Sequence, residues 1–394
     1  MENLSEMNLF LFLLSETICL ATGCLLSVLP HITRKSLLFG VRIPEDAKSD
    51  PDVIMVKRRY TTIMIVITLI LLAGGGWLYY IRPDSMLLLS LYQPSILLLA
   101  QFAVYIPLWR TASRMKVQKG WKVSHIGTSQ TAASGIKGRL KDLPWIWYAV
   151  SAALCALTVI LGLAVYSSMP DTIATHWDAN MTADIWSQKS LMDVFIMPII
   201  SSGMILLMLG SNIVIFYTKL QVSLENPVLS YAQHRLYRRL ISHMLGFVTL
   251  MITLMFVLMT PMILNLYIPS TSVLYGGILI LTILILIPSI WVPVKAGQGG
   301  SKLNPVLTAQ EEKEMKNFSK LSFRPSVDRG DDSYWILGLF YYNRGDPSLF
   351  VEDRFGNNGG FNLAKTAGKI IAASIAVLVI ATYVFSTILF AVIM

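Results

Sequence analysis

Residues 145–166 read WIWYAVSAALCALTVILGLAVY, 22 positions without one charged side chain. About 20 apolar residues in helical form cross the hydrocarbon core of a bilayer, so this block reads as a membrane span. Seven more blocks of the same kind flank it: Met7–Leu29, Tyr60–Tyr80, Met86–Trp109, Leu191–Phe216, Leu240–Leu266, Ser272–Val294 and Thr366–Met394. Lipid offers peptide groups no hydrogen-bond partner, so each block is predicted to be helical. The whole chain agrees: of 394 residues 54% are hydrophobic and 14% charged, with a mean hydropathy of +0.60, whereas soluble domains carry about 25% charged residues. The expected fold is an all-α polytopic membrane protein with eight transmembrane helices and a small α+β cytoplasmic insertion. It divides into a seven-helix region (1–294), the insertion (295–365) and a final helix (366–394).

The basic residues orient the bundle. Segments 30–59, 110–144, 217–239 and 295–369 hold 30 of the 32 Lys and Arg residues, and the intervening connections hold only Arg82 and Lys189. The positive-inside rule then places the four basic segments in the cytoplasm and both termini outside a cell membrane. The net charge of +9 is therefore a topology signal rather than a nucleic-acid footprint. Segment 110–144, with one acid (Asp142), also suits anionic lipid headgroups. Trp77, Tyr79, Tyr80, Trp109, Trp145, Trp147, Tyr166 and Trp291 fall near span ends, where amphipathic rings prefer the interface. The first block follows an acidic flank (Glu2, Glu6) without Lys or Arg, unlike a cleavable signal peptide. Cys19, Cys24 and Cys155 all lie inside apolar blocks and suggest neither a disulfide framework nor a zinc site.

Glu16 lies near the middle of the first span, where a carboxylate is costly and must face protein or water. Cys19, Gly23 and Ser27 recur at a four-residue spacing close to it. Small residues so spaced allow close helix approach, so Glu16 is expected to turn into the bundle. There it serves either as a proton or cation site or as a protonated, hydrogen-bonded packing residue. Gln101, Asn212 and His243 read as glue between helices. Pro94, Pro261 and Pro288, with Gly74 to Gly76, are compatible with kinked helices.

The connection 167–190 is the longest expected outside. It carries Asp171, His176, Trp177, Asp178, Asp184, Trp186 and Lys189. Aromatic anchors ringed by charge suit recognition of a cationic or amphipathic peptide. Asp171, His176, Asp178 and Asp184 are metal-ligand types, but their spacing matches no zinc pattern, and no metal or cofactor is expected. No phosphate loop, His-Glu-x-x-His helix or Gly-x-Ser-x-Gly elbow occurs, so the chain does not read as an enzyme.

Pro170, Asp171, His176, Trp177, Asp184 and Lys189 together resemble the signature loop of the Sdp immunity-protein family of bacterial membrane proteins. Met181 stands where that pattern usually has Gly, and Gln188 precedes the Lys; a Met there is expected to disfavour a turn with positive φ. The stretch Phe39-Gly40-Val41-Arg42-Ile43-Pro44 resembles a Gly-Ile-Arg-Thr loop of the same family, with Arg42 expected at the inner headgroups as a lipid-phosphate contact. The resemblance implies resistance to, or sensing of, a membrane-active peptide toxin. It also implies, for some members, sequestration of a cytoplasmic transcriptional repressor. A proton- or cation-coupled transporter or channel using Glu16 is the alternative.

In the insertion, Gly297 to Ser301 reads as a linker. Residues 308–320 read as a polar helix that Thr308 and Glu311 would cap. Tyr334–Tyr342 and Ser348–Val351 read as two strands of one hairpin, turning at Asn343 to Pro347. Trp335 to Ala364 resembles a small uncharacterised module appended to such membrane proteins, and its aromatics make it a candidate partner surface.

Overall fold

The structure is a computed structural model. It describes every residue except 1, 35, 123–128, 131–141, 179–180, 218–220, 223–226, 307–328, 352, 356–359 and 394. The polar helix expected at 308–320 and most of segment 110–144 beyond Lys122 lie outside the described residues.

Among the described residues eight helices are long and apolar enough to cross a membrane: α1 (Glu2–Ile32), α2 (Pro51–Ile81), α3 (Met86–Gln118), α4 (Trp145–Tyr166), α5 (Leu191–Tyr217), α6 (Pro227–Ile263), α7 (Thr271–Ala296) and α8 (Thr366–Ile393). The protein is thus all-α and polytopic, with small strand pairs outside the spans. α2 outruns its apolar block, which begins at Tyr60, because a cap rather than hydropathy sets its start. Asp50 caps α2 by accepting from the Asp52 N–H, with Pro51 in the first turn, where a missing N–H costs nothing. Ser190 and Asp193 form a reciprocal box at the start of α5, Ser190 donating to Asp193 Oδ2 at 2.6 Å and the Asp193 N–H returning to Ser190 Oγ at 3.1 Å.

The helices pack as two groups, α1–α2–α3 and α4–α5–α6, joined by α7, which lies against both α1 and α6. Small residues set the approach. A Cβ on Gly23 of α1 would strike the Thr68 side chain of α2, and one on Gly246 of α6 would meet the Trp147 ring of α4. Cys19 and Ser27 are buried on the same stripe, as their spacing predicts. α8 stands at the edge: Tyr92 and Ser95 of α3 hydrogen-bond Thr387 and Tyr383 of α8, so the two helices run antiparallel.

Chain direction alternates, so the bundle has a hairpin end and a basic end. The hairpin end carries β4 (Thr172–Trp177) paired antiparallel with β5 (Ala183–Gln188). At the basic end a tight hairpin, β1 (Leu37–Leu38) and β2 (Val41–Arg42), joins α1 to α2, and β3 (Ser129–Gln130) pairs with β6 (Gln221–Val222). The insertion adds β7 (Trp335–Ile336) with β8 (Phe340–Tyr341), and β9 (Phe350–Val351) with β10 (Gly360–Phe361).

That pairing corrects the sequence reading. Tyr334–Tyr342 is not one strand but a hairpin in itself, because Leu337 (φ 55°) and Gly338 (φ 69°) turn the chain in the left-handed region. The second expected strand pairs forward with Gly360–Phe361 instead.

Candidate functional site

The loop at the hairpin end is an ordered β-hairpin. Ile173 buries against Met169, Val194 and Leu264, seating the ladder on the ends of α4, α5 and α6. A bulge between Ala174 and Trp177 shifts the register, and bulges re-aim side chains. His176 and Asp184 consequently meet across the strands, Nδ1 to Oδ1 at 2.6 Å, on the exposed face. Asp178 closes the tip: its N–H donates to Thr182 O at 2.9 Å, and its Oδ1 accepts from the Thr182 N–H at 2.8 Å. Met181 takes φ 59° there. The positive-φ turn therefore forms without glycine, the Asp178 bonds offsetting a cost of roughly 1–2 kcal/mol.

The two tryptophans part company. Trp177 is half-buried, and its indole N–H is enclosed with no acceptor among the described residues. Trp186 is 56% exposed beside Ile185 at 54%. Ile185 was not singled out from the sequence; both faces of β5 are open here, since Asp184, Ile185 and Trp186 are all exposed. Lys189 turns inward: Nζ donates to the carbonyls of Met169 (2.9 Å) and Tyr166 (3.1 Å) and lies 5.0 Å from the Tyr166 ring centre. It thus satisfies the open carbonyls at the end of α4. Asp171 is exposed, and its carbonyl accepts from the Lys189 N–H at 2.7 Å. The displayed surface is therefore Asp171, His176, Asp184, Ile185 and Trp186. Asp178, Trp177 and Lys189 build its frame.

Within the bundle Glu16 does turn inward. Its Oε1 accepts from Gln93 Nε2 of α3 at 2.8 Å, and the same amide donates to the Leu71 carbonyl of α2 at 3.0 Å. Ser15 donates to Gln93 Oε1. Gln93 is only 2% exposed, so one amide ties three helices. Gly75 makes the space: a Cβ there would collide with Glu16 Oε1. Gln93 was missed from sequence, where one polar residue beside Pro94 in an apolar block carries no distinguishing signal. Asn212 acts as expected, donating to Tyr148 OH at 2.8 Å and to Ser242 O at 3.2 Å. His243 accepts from the Trp147 indole at 3.2 Å.

At the basic end Asp332 gathers contacts from three elements. It accepts from the Arg42 N–H (3.1 Å) and from Lys116 Nζ of α3 (2.6 Å), and it pairs with Arg354. Arg354 also donates to Gly40 O at 3.0 Å. Gly40 and Gly338, both at positive φ, touch backbone to backbone, and Tyr105 OH of α3 donates to Phe39 O (2.9 Å) and Leu337 O (3.2 Å). Arg42 is half-buried in β2 rather than projecting from a loop as expected, because the insertion covers that hairpin. Lys119 Nζ reaches both Asp50 and Asp52 at 2.6 Å; this ammonium and the Asp52 N–H hold the Asp50 carboxyl below its ordinary pKa.

Inside the module Arg329 and Asp346 pair at 2.6 Å with 2% of each side chain exposed. Burial raises the Asp346 pKa, but the guanidinium, the Ser348 N–H and the Tyr341 hydroxyl outweigh it and leave the carboxyl below its ordinary value. Burial pushes the Tyr341 phenol up to about 12.

A family model described as a domain of unknown function (DUF1648) matches residues 153–201. That stretch is the second half of α4, the whole β4–β5 hairpin and the start of α5. No curated protein and no solved structure matches the chain.

Proposed function

We propose that this chain is a cell-membrane protein of the Sdp immunity-like type, with the hairpin end and both termini outside and the basic end in the cytoplasm. It binds a membrane-active peptide and thereby confers resistance to it or senses it. The observation that carries this reading is the displayed face of the β4–β5 hairpin. Trp186 and Ile185 are exposed on opposite faces of β5, with Asp184 two residues before Trp186 on the Trp186 face and Asp171 exposed at the base of the hairpin, an arrangement complementary to an amphipathic cationic peptide. The bound peptide biases the packing around Glu16 and Gln93, and the β1–β2 hairpin with its module passes that bias to a cytoplasmic regulator, a transcriptional repressor by family resemblance. Such relay requires that the peptide contact two packings unequally. Cells with and without the gene, challenged with a panel of cationic membrane-active peptides, test the reading. Survival that depends on the gene and falls on Trp186→Ala supports it; equal survival across the panel contradicts it.

The enclosed Glu16–Gln93 contact favours a second reading, a proton- or cation-coupled transporter. Its mark is pH-dependent flux in liposomes that disappears on Glu16→Gln.

A further inference from the structure

The module and the last helix border a half-open crevice of about 370 Å³, lined among others by Trp335, Phe340, Phe361, Leu363, Ala372 and Ile375. Its depth follows from helix register. Ser95 of α3 meets Tyr383 of α8, and Ala372 lies 11 residues before Tyr383 on an antiparallel helix. At 1.5 Å per residue that is about 16 Å towards the basic end, level with Tyr105, whose hydroxyl bonds the β1–β2 turn. The crevice therefore lies near the basic end of the apolar blocks of α3 and α8.

The same face of α8 carries charge just above it. Lys365, Lys369, Ala372 and Ile375 follow the helical spacing of one stripe, and the Lys369 N–H closes the first turn onto Lys365 O at 3.1 Å. Lys369 is exposed, and neither lysine meets a carboxylate among the described residues. Arg344 stands in the same positive field: it lies 3.4 Å from the Tyr342 hydroxyl, and together with Lys369 it holds that phenol below its ordinary pKa.

We propose that this crevice binds one anionic phospholipid from the leaflet at the basic end, with an acyl chain in the aromatic cavity and its phosphate on Lys365 and Lys369. An acyl chain matches the apolar lining, and the phosphate matches lysines that meet no carboxylate among the described residues. The lipid cements the module against α8, a helix with little protein packing. This inference does not depend on what the hairpin binds.

Native mass spectrometry of the full chain in detergent tests it, with phosphatidylglycerol and phosphatidylcholine offered in equal amounts and glycerol 3-phosphate in a separate arm. The expected result is one retained phosphatidylglycerol in clear preference and no retained glycerol 3-phosphate. Lys365→Gln/Lys369→Gln should cut the preference about ten-fold, Ala372→Trp should abolish retention by filling the cavity, and Lys48→Gln, at the same end but away from the crevice, should change nothing. Equal retention of the two lipids by the wild type overturns the proposal. So does retention unchanged by Ala372→Trp, or a loss on Lys48→Gln as large as on the double variant. Should the double variant not fold, the wild-type preference and Ala372→Trp still decide.

Discussion

At the hairpin end the His176–Asp184 pair stands in the open, with 57% and 45% of the side chains exposed; at the basic end Arg329 and Asp346 keep 2% each. Both regions are short antiparallel strands hung on helix ends, yet their charges do different work. An exposed pair in water is worth about 0–1 kcal/mol, so the β4–β5 hairpin owes its order to Ile173 packing and to the Lys189 clasp on α4. Its displayed side chains stay open to solvent. The module uses its polar groups to tie itself together and to dock on the bundle, where Asp332 and Arg354 reach Arg42, Lys116 and Gly40. Asn362 is fully buried and donates to Asn343 O at 2.8 Å, and the Trp335 indole donates to Arg329 O at 2.7 Å. Recognition fits the first design, and holding helices in register fits the second.

The largest break in this comparison is expected from Asp346→Ala. It strands a buried guanidinium, which costs about 3–5 kcal/mol, and should render the module protease-sensitive while the bundle stays helical by circular dichroism. Acid does the same work reversibly. Because the folded Asp346 carboxyl binds its proton less readily than the unfolded one, its contribution is complete above about pH 4 and is lost as pH falls through the lower folded value. Limited proteolysis across pH 2–7 should show module cleavage rising only at the acid end.

Next in size is Gly338→Ala. Its φ of 69° alone costs roughly 1–2 kcal/mol in a residue with a Cβ, and the added Cβ would press on the Gly40 backbone. Amide exchange should quicken in β1–β2 as well as in β7–β8; quickening in β7–β8 alone would mean that the two turns do not support each other. At the hairpin end Met181→Gly should act in the opposite direction. Relieving the φ of 59° stabilises the tip by up to ~1 kcal/mol, read as slower exchange at the Thr182 amide. The smallest effect is expected from His176→Ala, under about 1 kcal/mol, with little change in hairpin exchange.

The same contrast explains what the sequence disclosed. The eight spans were legible because 20-residue apolar runs have one solution in lipid, and the inward turn of Glu16 followed from the small stripe beside it. The strand pairs were harder. Tyr334–Tyr342 reads as continuous apolar strand, and only the lone Gly338 hints at the turn, as an isolated Gly in a strand often does. Asn343 to Pro347 reads as a hairpin turn, yet its bonds run to Asn362 and Arg329, partners no local pattern reveals. Gln93, Asp332 and Arg354 matter through contacts 77 to 314 residues away in sequence, and spacing alone does not carry such information. In the hairpin the candidate residues were visible as a set, but only the fold separated the displayed Trp186 from the enclosed Trp177 and the clasping Lys189.

In the proposed topology the displayed hairpin faces the cell exterior and the docked module faces the cytoplasm. Single cysteines at Thr182 and Ser49, both exposed, in a chain whose native cysteines are replaced by serine, test it with a membrane-impermeant thiol reagent on intact cells. Thr182→Cys is expected to be modified at once and Ser49→Cys only after permeabilisation. Modification of Ser49→Cys in intact cells with Thr182→Cys protected would contradict it.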